Sequence, residues 1–224
     1  MHQLISKKVI IYLCLFFLLV TVNNNSIIDL KLPKIEKIKI TGFSLDQSAQ
    51  VKDLIESLKS KNIFLINQFE IKKDIFSNNV IEELNIFKNY PSTLIVDIKK
   101  TQFLAVTKKD GEDYFIGKNG KLIKKNQSMV KLPYVFGDLN INEFLEFKKN
   151  IDNSNFEFKQ ILNLYYYKSK RWDIETSNGY LIKLPRENIS EVLNLFIRLS
   201  KEKNFNDKIT IDFRQKGQII LDEK

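Results

Sequence analysis

The period of hydrophobic and polar positions changes along the chain, and each period predicts an element. The segment KIEKIKIT, residues 34–41, places Ile38 and Ile40 between polar side chains, which is typical of a strand with one buried face. The next apolar positions have the i, i+3, i+4, i+7 spacing of one helix face. They are Val51, Leu54, Ile55 and Leu58.

A second helix and two strands complete this part of the chain. Asn67 and Glu70 have the spacing of a capping box and predict a short helix. Two apolar runs, residues 80–88 and 93–100, predict strands joined by a tight connection. The order β-α-α-β-β over residues 34–100 predicts a compact α+β unit with both helices on one face of the sheet.

After residue 100 the pattern changes to short apolar runs separated by turn signals. Asp-Gly and Asn-Gly dipeptides accept positive φ and favour hairpins between these runs. Leu132–Pro133 predicts a loop that ends at Gly137. Helices are expected over residues 141–151 and from Asn188. The pattern predicts a hairpin-rich mixed β-sheet domain with one or two packed helices. Its strands are expected at residues 102–108, 114–117, 121–124, 161–168, 172–176, 180–184, 209–213 and 218–221.

An uncharged apolar run, residues 9–22, follows two lysines near the start of the chain. Its length suits either a signal anchor or a signal-peptide core, since a bilayer span needs roughly 20 residues. The run ends without the small residues of a cleavage site, so an uncleaved anchor with its N-terminus in the cytoplasm is favoured. A cleaved signal peptide is the alternative. The chain thus divides into a cytoplasmic tail (1–8), a transmembrane anchor (9–22), a linker (23–33), the α+β unit (34–100) and the β domain (101–224).

Composition narrows the chemistry that the chain can support. The net charge is +9, but the lysines are scattered along the chain, which favours a solvated basic surface over a nucleic-acid site. The only histidine is His2 and the only cysteine is Cys14, so the exported part has no Ser-His pair, no Cys-His pair and no His or Cys metal cluster. We expect no enzyme, no metal, no cofactor and no small-molecule substrate. An anchored hydrolase with two converging carboxylates is the remaining enzymatic alternative.

The last predicted strand, Gln218–Leu221, raises the question of what covers it. The preceding strand, residues 209–213, follows an amphipathic helix and is expected to pair into the sheet. Edge strands normally carry a charge, a proline or a bulge that prevents pairing with other chains, but residues 218–221 have neither charge nor proline. The edge therefore suits a peptide that adds as an extra strand, while cover by another part of this chain fits the pattern equally well.

Two conspicuous side chains have both a structural and a binding interpretation. Trp172 alternates with Ile174, which favours packing inside the sheet over a surface contact. Arg214 is expected either to form an ion pair with Asp212 or Glu223, or to meet an acidic partner peptide.

Three stretches share their order and spacing with one known family. The first is IFKNYPSTLIVDI at residues 86–98, which contains Lys88, Tyr90 and Pro91. The second begins with RWDI at residues 171–174 and continues through an Asn-Gly turn, and the third is IDFR at residues 211–214. Together they resemble the FtsQ/DivIB family of cell-division proteins. In that comparison the first stretch is similar to the end of a POTRA (polypeptide-transport-associated) domain.

The resemblance implies a single-pass inner-membrane protein with a POTRA domain and a periplasmic β domain, which acts at the division septum by binding. It implies FtsB and FtsL homologues as partners of the β domain, with other divisome proteins contacting the POTRA domain. The partner is expected to add as a strand at the C-terminal edge. Another POTRA-bearing scaffold, for secretion or outer-membrane assembly, is the alternative. The expected partner-binding residues are Thr210, Phe213, Arg214, Gly217, Gln218, Ile219, Ile220 and Leu221.

Overall fold

The computed structural model describes residues 7–22, 33–43, 49–59, 61–125, 131–202 and 209–223. In chain order the elements are α1 (Lys7–Val22), β1 (Lys37–Thr41), α2 (Ala49–Leu58), α3 (Gln68–Phe76), β2 (Ile81–Asn89), β3 (Thr93–Lys100), β4 (Phe103–Lys109), β5 (Glu112–Gly117), β6 (Leu122–Lys124), β7 (Tyr134–Phe136), α4 (Ile141–Asp152), β8 (Ile161–Tyr166), β9 (Trp172–Thr176), β10 (Leu181–Lys183), α5 (Ile189–Glu202), β11 (Ile209–Asp212) and β12 (Ile220–Glu223). A short 3-10 turn, Phe158–Gln160, precedes β8.

The first helix contains the predicted transmembrane run of residues 9–22. It spans 16 residues, and its side chains from Lys7 to Thr21 are exposed. Among the described residues, none of the helices has both the length and the apolar character that crossing a membrane requires.

The first folded unit has the predicted order β-α-α-β-β. Its strands lie in the order β1-β3-β2, with β1 parallel and β2 antiparallel to β3. Buried Val51, Ile55 and Ile75 of the helices pack against buried Leu84 and Val96 of the sheet. These contacts confirm that both helices bury their apolar stripes in one core.

Asn67 caps the start of α3 as predicted, but Glu70 bonds to the Asn67 side chain and not to its backbone N–H as in a capping box. The side chain of Asn67 accepts a hydrogen bond from the Phe69 amide, at 3.0 Å, and donates one to Glu70 Oε1, at 3.1 Å. The helix expected from Asn188 is α5, which begins at Ile189. Asn188 directly before it has a φ of +59°, whereas an N-cap residue normally has an extended backbone.

The second unit is built on a mixed sheet, in which nine strands of the described residues are ordered β12-β11-β10-β9-β8-β7-β4-β5-β6. Pairs β4·β7, β7·β8 and β10·β11 are parallel and the others are antiparallel. Helices α4 and α5 contribute Phe144, Phe147, Leu193 and Phe196 to its core. Trp172 is buried and stacks on Phe147, with 4.4 Å between ring centroids, which confirms the structural interpretation of this tryptophan.

One strand lies where the sequence predicts a loop. The segment between Pro133 and Gly137 contains β7, which joins the sheet between β4 and β8 and is parallel to both. Three residues are too few to show a period, so the pattern along the chain gives no signal for this strand. Its buried Val135 instead reflects pairing with strands distant in sequence.

Candidate partner-binding edge

The closing hairpin places β12 at one edge of the large sheet. β12 pairs with β11, and no other described strand pairs with it. The strand begins two residues later than predicted and runs from Ile220 to Glu223, while Gln218 and Ile219 form the approach to it. Within the described part of the chain, the outer edge of β12 is therefore open.

The register of the hairpin gives the two faces of β12 different surroundings. Leu221 is paired with Ile211 and lies in one row with Ile182 and Ile174, on the face that the helices cover. Ile220 is paired with Asp212 on the opposite face. Ile220 and Leu221 are 46% and 41% exposed, so the edge strand is apolar and accessible on both faces.

The remaining predicted partner residues divide into buried supports and exposed groups. Thr210 and Phe213 are buried in or directly after β11, where they support the hairpin. Gly217 has a φ of +79° in the turn, where glycine is favoured, and the Gln218 amide closes that turn on the Gln215 carbonyl, at 3.3 Å. The predicted set is thus brought together in one hairpin, but its members do not all face outward.

Arg214 is held by the aspartate two residues before it. Its Nε donates to both carboxylate oxygens of Asp212, at 2.8 Å, and its backbone amide donates to Asp212 Oδ1, at 3.0 Å. These hydrogen bonds lower the pKa of Asp212 and raise that of Arg214. The structure therefore confirms the ion pair with Asp212, and the Arg214 side chain remains 38% exposed.

A groove that the sequence does not predict lies beside this hairpin. It has a volume of about 530 Å³ and runs between the start of α5 and the β11–β12 turn. Val192, Leu195 and Phe213 give it an apolar lining. Both basic and acidic side chains also line it, including Arg186, Lys216, Glu187 and Glu191. The groove forms because an amphipathic helix and a hairpin meet at the sheet edge, and no local sequence pattern encodes that meeting.

The face of the sheet opposite the helices carries a polar network that the sequence also does not reveal. Tyr165 donates to Glu175 Oε2, at 2.6 Å, and burial together with this bond raises the pKa of Tyr165 to about 12. Asp173 is buried, and its burial raises the pKa of the carboxyl. Arg171 Nε lies 3.5 Å from Asp173 Oδ1, and neither atom has a hydrogen-bond partner among the described residues.

The Lys-x-Tyr-Pro motif lies in the first unit, away from the C-terminal hairpin. The Lys88 ammonium donates to the carbonyl oxygens of Phe64 and Ile66, at 3.3 and 2.9 Å. The Tyr90 ring stacks on Phe64 with 4.8 Å between centroids, and the Tyr90–Pro91 bond is cis. This motif therefore holds the connection between α2 and α3 against the end of β2.

Two family models match the chain and divide it between them. Residues 34–100 match the model described as "POTRA domain, FtsQ-type", and residues 105–214 match "Cell division protein FtsQ/DivIB, C-terminal". The chain belongs to the FtsQ/DivIB family. The family match ends at residue 214, so it includes β11 and Arg214 but not β12.

The chain is also similar in sequence to curated proteins named FtsQ or DivIB. The chain is 24% identical over 200 residues to cell division protein FtsQ of Rickettsia bellii (strain RML369-C), which covers 85% of this chain and 72% of the relative. It is 24% identical over 185 residues to FtsQ of Agrobacterium fabrum (strain C58), covering 80% and 58%. It is 31% identical over 133 residues to cell division protein DivIB of Clostridium botulinum (strain Loch Maree), covering 58% and 50%. The chain thus spans between half and about three quarters of the length of these relatives.

One solved structure is also similar to part of the chain. It is the major extracytoplasmic domain of the trans isomer of the cell division protein DivIB from Geobacillus stearothermophilus. The match covers 47% of this chain and 96% of that domain, with 11% identity and a TM-score of 0.35. A likeness of this size carries no weight beside the family matches.

Proposed function

We propose that this protein is a divisome scaffold of the bacterial inner membrane that binds FtsB and FtsL homologues through its β domain. In this proposal the protein performs no catalysis, and it helps to localise and regulate septal wall synthesis. The observation that carries the proposal is the accessible apolar edge strand β12, whose outer side has no described partner.

Strand addition fits the chemistry of this edge. An edge strand presents unpaired N–H and C=O groups in a row, and an extended peptide satisfies them by pairing along it. Ile220 and Leu221 on the two faces of β12 would contact alternate side chains of the added strand. Asp222 of β12 is exposed and is the one charge at positions 220–222.

Specificity is proposed to come from the groups around the edge. The exposed part of Arg214 offers a cation beside the hairpin, although Asp212 already neutralises much of its charge. Buried Thr210 would act indirectly, since it holds β11 in the position that β12 requires. Phe213 would support β11 in the same way and also lines the groove beside the hairpin. The groove lined by Val192 and Leu195 could receive apolar side chains of the partner beyond the added strand.

The proposal includes the membrane. We propose that the apolar helix α1 inserts as a signal anchor, with the N-terminus in the cytoplasm and both folded units in the periplasm at the division septum. The apolar side chains of α1 support this, since all of them that are described are exposed and belong to neither core.

Two proline variants test strand addition at β12. N–H groups of successive residues point to opposite sides of a strand, so one of Ile220 and Leu221 directs its N–H toward β11 and the other away from it. Proline removes that N–H. We expect the variant that keeps the wild-type free energy of unfolding to lose affinity for an FtsB-derived peptide by about tenfold or more, because one outward hydrogen bond is lost and the added strand is blocked.

Isothermal titration calorimetry with residues 33–224 would measure the affinity, and urea unfolding would measure the stability of each variant. The control variant is Leu162→Ser, at an exposed apolar position of β8, far along the sheet from β12. Serine is used there because a proline inside β8 would disrupt that strand. If the stable proline variant bound FtsB as tightly as the wild type, strand addition at β12 would be wrong.

A further inference from the structure

The POTRA domain carries an exposed apolar tip formed by the connection between α2 and α3 and the first turn of α3. Phe64 is 50% exposed, and Leu65 and Phe69 are each 76% exposed. We call these three side chains the apolar tip. Single apolar residues on a surface need no explanation, but three large ones within six residues mark a contact site for a membrane or another protein.

The backbone of the tip is held in place by specific hydrogen bonds. Besides the bonds from Lys88 to the Phe64 and Ile66 carbonyls, the Phe64 amide donates to Asn62 Oδ1, at 2.9 Å. The Phe69 amide donates to the capping Asn67, at 3.0 Å. The fold therefore presents these apolar side chains to solvent from a defined connection and the first turn of α3.

The tip lies beside the point where the chain from α1 joins the POTRA domain. The Ile63 amide donates to the Pro33 carbonyl, at 3.3 Å, and the Ile35 amide donates to the Lys61 carbonyl, at 2.9 Å. Ten residues, 23–32, separate α1 from Pro33, and at about 3.3–3.6 Å per residue they span at most about 35–40 Å. If α1 is in the membrane, the tip lies on the part of the domain that this short connection reaches first.

The charge around this junction complements an anionic lipid surface. Residues 33–39 and 59–62 contain five lysines and one acidic residue, Glu36. Lys34, Lys37 and Lys61 are exposed. Apolar side chains flanked by lysines are the combination that binds interfacially, because the apolar groups enter the headgroup region while the cations meet lipid phosphates.

We propose that the apolar tip and its flanking lysines form a peripheral membrane-binding site for anionic phospholipid, which holds the POTRA domain against the bilayer. In the full chain this rests on the proposed insertion of α1, which brings the tip to the membrane. The tip itself is a separate site, and its binding to lipid can be measured without α1.

The first experiment uses residues 33–224, since neither core includes a described residue of α1. Cosedimentation with vesicles of phosphatidylglycerol and phosphatidylcholine (3:7) is compared with cosedimentation with phosphatidylcholine alone. We expect binding to the anionic vesicles, and a loss of affinity of about tenfold or more in the Leu65→Ser, Phe69→Ser double variant, since two exposed apolar side chains no longer enter the lipid. The matched control is Phe136→Ser, Leu162→Ser, at two exposed apolar positions of the β domain. Equal binding of the wild type and the tip variant would overturn the proposal.

The second experiment locates the tip in the lipid. Residues 33–224 contain no cysteine, so Leu65→Cys can be labelled with an environment-sensitive nitrobenzoxadiazole dye, with Leu162→Cys as the control position. We expect a blue shift and enhanced emission at position 65 alone when the anionic vesicles are added. An unchanged spectrum at position 65 would contradict lipid binding. Self-association in sedimentation velocity that the Ser substitutions abolish would assign the tip to a second copy of this chain instead.

Two further measurements separate this proposal from the proposed function. The tip variant should bind the FtsB-derived peptide as the wild type does, because β12 belongs to the other unit. Carbonate extraction of vesicles that carry the full chain tests only whether α1 is inserted in the membrane. The wild type and the tip variant should therefore resist extraction equally. If the tip variant lost FtsB binding, its substitutions would disturb the whole fold, and the spectrum of the label at position 65, which does not depend on that variant, would decide the proposal.

Discussion

At the scale of single residues, two buried aspartates on the same face of the large sheet have pKa values that are shifted in opposite directions. In the sheet register, Lys183 of β10 lies directly opposite Asp173 of β9 and Asp212 of β11. Burial dominates at Asp173 and raises its pKa above 3.8, while hydrogen bonds from Arg214 dominate at Asp212 and lower its pKa below 3.8. The arginine two residues from Asp212 can reach its carboxylate oxygens directly, whereas Arg171 stays 3.5 Å from Asp173.

These pKa shifts predict opposite effects of pH on folding stability. The contribution of Asp212 is present above its unfolded pKa and is lost as the pH falls through the lowered folded pKa. The protonated form of Asp173 is favoured by the fold, so its contribution is present below its unfolded pKa and is lost as the pH rises through the raised folded pKa.

We expect Asp212→Asn to flatten the loss of stability below pH 3.8, and Asp173→Asn to remove a decline in stability as the pH rises above 3.8. The free energy of unfolding in urea, measured from pH 2.5 to 7, tests both variants. The exposed Asp138→Asn variant serves as the control with no buried carboxylate. Parallel pH profiles for the Asp173 and Asp212 variants would contradict the assignment.

At the scale of elements, the sequence predicts those parts whose pattern is long enough to show a period. The apolar stripe of α2 and the Asn67 cap of α3 are local features, and both are present in the structure. β7 is not predictable in this way, because three residues between Pro133 and Gly137 become a strand only through pairing with β4 and β8. The groove beside the closing hairpin has the same origin, since it depends on where α5 meets residues 213–219.

Helix α4 illustrates how packing between elements determines stability. Phe147 is 1% exposed, lies on the buried face of α4 and stacks on Trp172 of β9. Its truncation leaves a cavity between the helix and the sheet that neither can fill without moving.

We therefore expect Phe147→Ala to lower the free energy of unfolding by about 3–5 kcal/mol, because both transfer and cavity contributions are lost. Urea denaturation followed by Trp172 fluorescence measures this, since the chain has one tryptophan. Glu146→Ala, at the exposed neighbouring position, should change stability by less than about 0.5 kcal/mol. A loss below about 1 kcal/mol in Phe147→Ala would mean that α4 does not pack on β9 as described.

At the scale of the whole molecule, the two folded units are joined by more than the chain between β3 and β4. The Asn119 side chain, in the turn after β5, donates to the carbonyl oxygens of Asn79 and Ile81, at 2.9 and 3.1 Å. Asn79 donates back to the Leu122 carbonyl at 2.9 Å, and the Lys121 ammonium donates to the Phe76 carbonyl at 2.8 Å. The backbone N–H of Asn119 also donates to the hydroxyl of buried Thr101, at 3.1 Å, in the chain between β3 and β4.

This set of bonds has a direct consequence for a scaffold whose proposed binding sites lie on different units. The apolar tip is on the POTRA domain and β12 is at the far edge of the large sheet, so their relative orientation depends on the junction that Asn119 spans. Side-chain hydrogen bonds to backbone carbonyls contribute about 1 kcal/mol each, so losing the two from Asn119 weakens this junction without affecting either core.

We expect Asn119→Ala to broaden the distribution of distances between spin labels at Asn85→Cys and Lys168→Cys, introduced into residues 33–224, as measured by pulsed electron–electron double resonance. Both label positions are exposed, one in each unit. Asn178→Ala, in another Asn-Gly turn that lies within the β domain, should leave the distribution as narrow as in the wild type. If the Asn119 and Asn178 variants gave the same narrow distribution, the side-chain hydrogen bonds of Asn119 would not be what fixes the orientation of the two units.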